Sequence, residues 1–399
     1  MRDHQRQSRG PEAGRYSGLV IEGSEPPDGR ESVLSLSRRG GTSEDGSSME
    51  AETAPLAGTV LVTGAAGFIG FHVARRLLET GRTVLGLDNL NDYYDPGLKR
   101  ARLEQLEPYD AFEFMQLDIA NRAGMKRLFE TRQLSSIVHL AAQAGVRYSI
   151  DHPHKYVDSN LVGFVNVLEG ARLQDVRHLV FASSSSVYGA NEDLPYSEEQ
   201  SVDHPVSLYA ATKRSDELMA HAYATLFELP VSGLRYFTVY GPWGRPDMAY
   251  YLFTEALFKG RTIALNNAGN MRRSFTFIDD AVSATMDVLA VPADRSPSWD
   301  PKLRTPCSSQ APFRILNVGA SDSVELREFV RMLERITGQD AIVDHRPMPA
   351  GDVQATEADT ARLRQVTSNR AHTGLEEGLR QFVEWYRDTV GVSAVCGDG

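Results

Sequence analysis

Cysteine is nearly missing from this 399-residue chain: there are two, Cys307 and Cys396. Two thiols so placed make neither a disulfide framework nor the paired spacing of a metal site. Basic side chains are also outnumbered, 42 Lys and Arg against 53 Asp and Glu, for a formal net charge of −11. A nucleic-acid-binding protein wants a basic face, so that class is set aside. No run reaches the ~18 apolar residues that a membrane span needs, and the N-terminus has no signal-peptide core. The expectation is a chain with no metal, no membrane and no nucleic-acid partner, working in a reducing cytoplasm.

What is present falls into unlike parts. Residues 1–54 are polar, rich in Gly and Ser and without sustained periodicity. Such a stretch buries too little apolar surface to offset the entropy of ordering it, and it reads as a disordered extension. Whether residues 1–48 are translated, or translation starts at Met49, stays open. From residue 58 the text alternates. "GTVLVTG", "RTVLGLD", "AFEFMQLDI", "SSIVHLAA", "HLVFASSSSVYG" and "LPVSGLRYF" read as six strands, with helical stretches such as 160–172 and 210–227 between them. That pattern predicts βαβ units and a doubly wound parallel α/β sheet of Rossmann type over 58–240. Residues 241–390 are less regular, with helices expected near 248–259, 280–290, 324–337 and 375–390. A Pro/Ser-rich insert, "PADRSPSWDPKLRTPCSSQAPF", interrupts them. This part reads as a smaller substrate-binding lobe capping the sheet, with 391–399 a tail.

Gly64, Gly67 and Gly70 follow the first strand and open the first helix, with Phe68 and Ile69 between the last two. Glycine there permits the tight turn and the close approach of backbone to a pyrophosphate, while the helix N-terminus supplies N–H donors and a positive dipole end. Asp88 ends the second strand, 18 residues past Gly70. A carboxylate at that place accepts from a ribose diol and repels a 2′-phosphate, favouring NAD over NADP.

Further along, Tyr209 and Lys213 lie one helical turn apart in "YAATK". A lone pair of this kind is ordinarily a packed ring beside a solvated ammonium. Together with "VTGAAGFIG", "LDI", "HLAAQAGVR" and "ASSSSVYG", however, it resembles the extended short-chain dehydrogenase/reductases that modify nucleotide sugars, the NAD-dependent epimerase/dehydratase family. The resemblance covers about residues 58–390. It implies that Tyr209 is the catalytic base, that Lys213 lowers its pKa and holds the nicotinamide ribose, and that Ser184 bonds the same substrate oxygen. It also implies that Asp118 contacts the adenine, that Ala141 and Ala142 line the cofactor path, and that Asn160 braces the site. A homodimer packed through the Tyr209 helix and the helix near 160–172 is expected.

Family members that eliminate water or carbon dioxide carry an acidic residue just after the catalytic serine. Here those positions are Ser185 and Ser186. Without an acid or base there, returning the hydride to the other face of a 4-keto sugar is the reaction left. The strings "DNLNDYYD", "SVDHPVSLYAATK" and "FTVYGPWGRPDMA" are closest to members that act on UDP-glucuronate, implying its 4-epimerisation. A β-keto acid forms on that path, so its carboxylate has to be held; Ser185, Ser186, Thr238 and Arg245 are the candidates. Arg273 matches a pyrophosphate-binding arginine and Asp352 a nucleotide-side loop. Arg245 also reads as one half of a loop salt bridge, and Asp352 as a loop carboxylate. Ser274 stands where relatives often have Asp. The alternatives are a 4-epimerase for neutral UDP-hexoses or UDP-N-acetylhexosamines, a UDP-glucuronate decarboxylase, and a non-catalytic NAD-binding sensor.

Overall fold

The computed structural model describes residues 58–297, 299–303, 305–348, 353–367 and 372–391. They belong to one compact unit, Thr53–Gly399. The extension 1–54, Asp352 and the tail beyond 391 lie outside the described residues.

β1 (Thr59–Thr63) leads to α1 (Phe68–Glu79), β2 (Thr83–Asp88) to α2 (Pro96–Glu104) and β3 (Phe112–Gln116) to α3 (Arg122–Thr131). β4 (Leu134–His139) is followed by α4 (Tyr148–Asp151), α5 (Pro153–Tyr156), a π-helical turn at Val157–Val162 and α6 (Gly163–Leu173). β5 (His178–Ser184) runs into a 3₁₀ turn, Ser185–Tyr188, and then into the long α7 (Leu208–Phe227). Local chemistry sets the helix starts. Asp95 accepts from Gly97 N with Pro96 in the first turn of α2, and Ser207 accepts from Ala210 N at the head of α7.

β6 (Val231–Tyr236) ends the regular alternation. Then come β7 (Thr238–Tyr240), α8 (Ala249–Phe258), β8 (Ile263–Asn266), β9 (Arg272–Phe277) and α9 (Ile278–Ala290). β10 (Phe313–Val318), β11 (Ser323–Glu325), α10 (Leu326–Thr337), β12 (Val343–Arg346), α11 (Ala361–Arg364) and α12 (Leu375–Tyr386) complete the described elements.

The main sheet has seven strands in the order β3-β2-β1-β4-β5-β6-β10, and every pairing is parallel. The sequence pattern predicts six of them. β10 joins from beyond the Pro/Ser-rich insert, pairing Phe313–Val318 with Val231–Tyr236. The lobe therefore returns one strand to the Rossmann sheet. The insert runs beside that edge strand, with Ile315 N donating to Cys307 O at 2.9 Å, and covers an otherwise open row of backbone groups. A three-stranded sheet, β11-β9-β7, and a two-stranded one, β12-β8, build the rest of the lobe.

Side-chain alternation along β1 divides the core. Val60 and Val62 pack with Phe71 of α1, Val282 of α9 and Phe382 of α12. Leu61 faces the other way, with Phe129 of α3, Val167 of α6 and Ala220 of α7. Both faces of a parallel sheet are thus buried, which is why its strands read as continuous apolar runs.

Candidate active site

The chain crosses from β3 back past β1 to β4, so β1 and β4 are neighbours whose following connections diverge. Ligands of open α/β sheets bind at the carboxyl ends of strands where the order reverses in this way. Here that crevice opens into a cavity of about 1220 Å³.

Backbone at the end of β1 approaches that of β4 too closely for a side chain. Gly64 has φ +74°, and a Cβ on it would lie 2.8 Å from Ala141 N. A Cβ on Gly70 would lie 2.0 Å from Gly64 O. Gly67 caps α1, so the amides of Phe68, Ile69 and Gly70 fall in the first turn, where no intrahelical acceptor exists. Gly64, Gly67, Phe68, Ile69 and Gly70 all line the cavity, as do Ala141 and Ala142 opposite.

Asp88 is buried in the same wall, its Oδ1 accepting from Leu90 N at 2.8 Å. Lys99 Nζ stands 3.9 Å from that oxygen and donates to Asn91 Oδ1 at 2.8 Å. Burial lowers the Lys99 pKa, with Asp88 acting against the shift. Lys99 lines the cavity and was not among the residues expected there. The signal was present in "YYDPGLKR", where the Asp-Pro cap starts a helix that carries a lysine back to Asp88.

Asp118 stands at the turn after β3. Its carboxylate accepts from Asn89 Nδ2 and from Ala120 N, each at 2.8 Å. Its neighbours Leu117 and Ile119 line the cavity. Asn160 sits behind the wall and holds it: Oδ1 accepts from Gln143 N at 2.8 Å, and Nδ2 donates to Thr212 Oγ1 at 2.9 Å. That places a residue of the π-helical turn between the strand β4 loop and α7.

Ser184, Tyr209 and Lys213 line the cavity together. Ser184 ends β5, and its Oγ accepts from Ser186 N at 3.2 Å. The ring of Tyr209 meets Tyr156 edge-on, centroids 6.1 Å apart. Lys213 Nζ bonds Asp216 Oδ2 at 3.0 Å. Beneath them, Glu217 of α7 accepts from Ser183 Oγ at 2.6 Å and from Arg235 of β6 at 2.8 and 2.9 Å. That cluster ties the helix bearing Tyr209 to the strand bearing Ser184.

Ser185, Ser186, Thr238, Arg245 and Arg273 also line the cavity. Arg245 carries the salt bridge that was its alternative reading: Nε lies 3.0 Å from Asp247 Oδ1 and Nη2 2.5 Å from Oδ2. Arg273 donates to the carbonyls of Val353 at 2.6 Å and Gln354 at 3.1 Å. Arg272 is exposed and bonds Ser323. Ser274 donates to Ala320 O at 2.6 Å, so the missing Asp does not loosen β9. Among the described residues no group of His, Cys, Asp and Glu is placed to hold a metal ion, and no helix is long and apolar enough to cross a membrane.

A buried side chain ties the glycine loop to the loop between β7 and α8. Arg102 of α2 is fully buried and donates to Ala66 O in the glycine loop at 2.9 Å, and to Trp243 O at 2.6 Å and Gly244 O at 3.2 Å. Nothing in the sequence singles it out.

A Rossmann sheet with a glycine loop at its switch point, a carboxylate ending β2, and a Ser, Tyr and Lys facing them defines a nicotinamide-dependent enzyme of the short-chain dehydrogenase type. The model of the NAD dependent epimerase/dehydratase family matches residues 60–298, and the chain belongs to that family. It is 46% identical over 327 residues to a probable UDP-glucuronate 4-epimerase of Rhizobium meliloti, covering 82% of this chain and 96% of that protein. It is 45% identical over 333 residues to UDP-glucuronate 4-epimerase 3 of Arabidopsis thaliana, covering 82% of this chain and 76% of that one. The fold is similar to the crystal structure of UDP-glucuronic acid 4-epimerase from Bacillus cereus in complex with UDP-glucuronic acid and NAD. That likeness has a TM-score of 0.73 at 29% identity, covering 83% of this chain and 99% of that one.

Proposed function

We infer that this protein is an NAD-dependent epimerase converting UDP-glucuronate to UDP-galacturonate through a transient 4-keto sugar. The observation that carries the reading is the company Ser184 keeps. It shares one cavity with Tyr209, Lys213 and the glycine loop, and the two positions after it are hydroxyls rather than carboxylates. The glycine approach, the first-turn amides of α1 and the buried Asp88 fit a dinucleotide. NAD, when bound, takes a hydride from the sugar and returns it.

The chain's own residues do the rest. Tyr209 removes the C4 hydroxyl proton and later gives it back, and Ser184 holds the same oxygen. Lys213 supplies positive charge toward the phenol. Ser185, Ser186 and Thr238 hold the carboxylate through neutral hydrogen bonds, so that it stays solvated by protein and does not leave as carbon dioxide. Arg273 binds the pyrophosphate. Residues 58–240 supply the cofactor half, and 241–390 mainly the UDP-sugar half.

One observation favours a neutral UDP-hexose instead. Arg245 is paired with Asp247, which leaves that part of the wall without net charge. The purified protein, incubated without added NAD and followed by proton NMR, separates the readings. UDP-galacturonate from UDP-glucuronate supports the first. UDP-galactose from UDP-glucose, with UDP-glucuronate untouched, replaces it by the second.

Two further parts of the reading are coarser. A homodimer through α6 and α7 is supported by Leu173, Leu218 and Leu226, exposed by 64%, 57% and 71%. A monomer in sedimentation equilibrium would end that idea. A cytoplasmic location is supported by Cys307, a buried thiol with no disulfide partner among the described residues; cell fractionation tests it.

A further inference from the structure

Behind the site lies a carboxylate that the reaction does not use. Asp216 Oδ2 is 3.0 Å from Lys213 Nζ, and both side chains are almost wholly buried, 1% and 2% exposed. The other oxygen, Oδ1, has no hydrogen-bond partner among the described residues. Tyr209, Lys213 and Asp216 occupy positions i, i+4 and i+7 of α7 and so share one helix face. Tyr209 and Lys213 line the cavity, and Asp216 stands one turn further back.

A half-satisfied buried ion pair is a poor device for stability, since an apolar pair of the same shape serves as well or better. The other charged and titratable groups around it are already engaged. Glu217, the next residue, is held by Arg235 of β6 and Arg214 of its own helix. His139 of β4, which feels the charge of Lys213, is kept neutral by burial, its pKa pushed down to about 3. Lys213 is the cation bonded to Asp216.

We propose that Asp216 is a positioning residue that sets the field Lys213 casts on the Tyr209 phenol. The proposal rests on reading Tyr209 as the base. Bonded to Asp216, the ammonium has its charge offset, so the phenol feels a dipole rather than a full charge. Without the carboxylate, the full charge acts, and a nearby positive charge favours the phenolate. Burial pushes the Asp216 carboxyl up to about 7, with Lys213 opposing.

The test reads the phenol directly and needs no sugar, so it stands apart from the assay of UDP-glucuronate turnover. Ultraviolet difference titration of the holoenzyme against its Tyr209→Phe variant isolates the tyrosinate of Tyr209. The same comparison is made in an Asp216→Asn background. The expected result is a midpoint about one unit lower, a tenfold gain in phenolate at fixed pH. Asp216→Glu, which keeps the charge, should return it. A midpoint unmoved or raised in Asp216→Asn would overturn the proposal. Asp216→Ser serves the same comparison if Asp216→Asn does not fold, and failure of both to fold would assign Asp216 to stability alone and overturn the proposal too.

Discussion

Arg245 and Asp247 form a two-point ion pair across a single intervening proline, and the Tyr93 hydroxyl donates to the same aspartate at 3.0 Å. The guanidinium also lies over the Tyr93 ring, 5.8 Å from its centroid. One arginine is thus presented to the cavity by two partners that hold its plane.

If this arginine serves the substrate carboxylate, Arg245→Gln should lower kcat/KM for UDP-glucuronate by roughly 10- to 100-fold, the range for losing a charge-assisted hydrogen bond. Turnover of UDP-glucose should change little, and a UDP-pentose should appear as the poorly held keto acid loses carbon dioxide. Equal losses for both sugars in the NMR assay would place Arg245 in the scaffold instead.

Removing the proposed base, Tyr209, is the sharpest test of the chemistry. Tyr209→Phe should cut kcat by roughly 10²- to 10⁴-fold with KM within a few-fold of wild type, as expected for general base catalysis. NAD retained by the variant, measured by release on denaturation, would show that the cofactor site survived. A kcat within threefold of wild type would remove Tyr209 from the mechanism.

Glu217 gives a stability prediction with a pH sign. Burial alone would raise its pKa, but Arg235, Ser183 and Arg214 more than offset this and hold the carboxyl below its ordinary value. A depressed folded-state pKa contributes stability that is present above the unfolded value of about 4.3 and lost as the pH falls through the folded one. Glu217→Gln should therefore lower stability at neutral pH by about 3–5 kcal/mol, because it leaves buried arginines uncompensated. The gap between the two proteins in denaturant melts should narrow as the pH falls below about 4. A gap independent of pH would count against the charge argument.

The glycine loop predicts a loss that no neighbour can relieve. A Cβ at Gly70 meets the Gly64 carbonyl oxygen at 2.0 Å, a backbone atom fixed by its own contacts. Gly70→Ala should cost NAD retention and several degrees of Tm. Wild-type NAD content in that variant would refute the close approach described for α1.

The cofactor half was largely legible because its signals are local. Gly64, Gly67 and Gly70 lie within one turn and its helix, Asp88 ends an apolar run, and Ser184, Tyr209 and Lys213 fall on one strand end and one helix. The lobe was not, because its strands are short and take their partners from far away. β7 and β11 have three residues each, too few for any periodicity, and β7 pairs with β9 while β9 pairs with β11. β10 is a buried apolar run that pattern alone does not separate from a helix segment, and the insert before it masks its return to the sheet. Lys99, Arg102 and Asp216 were missed for a different reason. Each is a charged residue buried by tertiary packing; only Lys99 has a local signal, the Asp-Pro cap before it, while the burial of Arg102 and Asp216 leaves no mark in the local text.

Arg102 has a bearing on how two loops are held. It ties Ala66 of the glycine loop to Trp243 and Gly244 of the loop between β7 and α8. Parting those loops would strip a fully buried guanidinium of its carbonyl partners, a far heavier penalty than breaking an exposed contact.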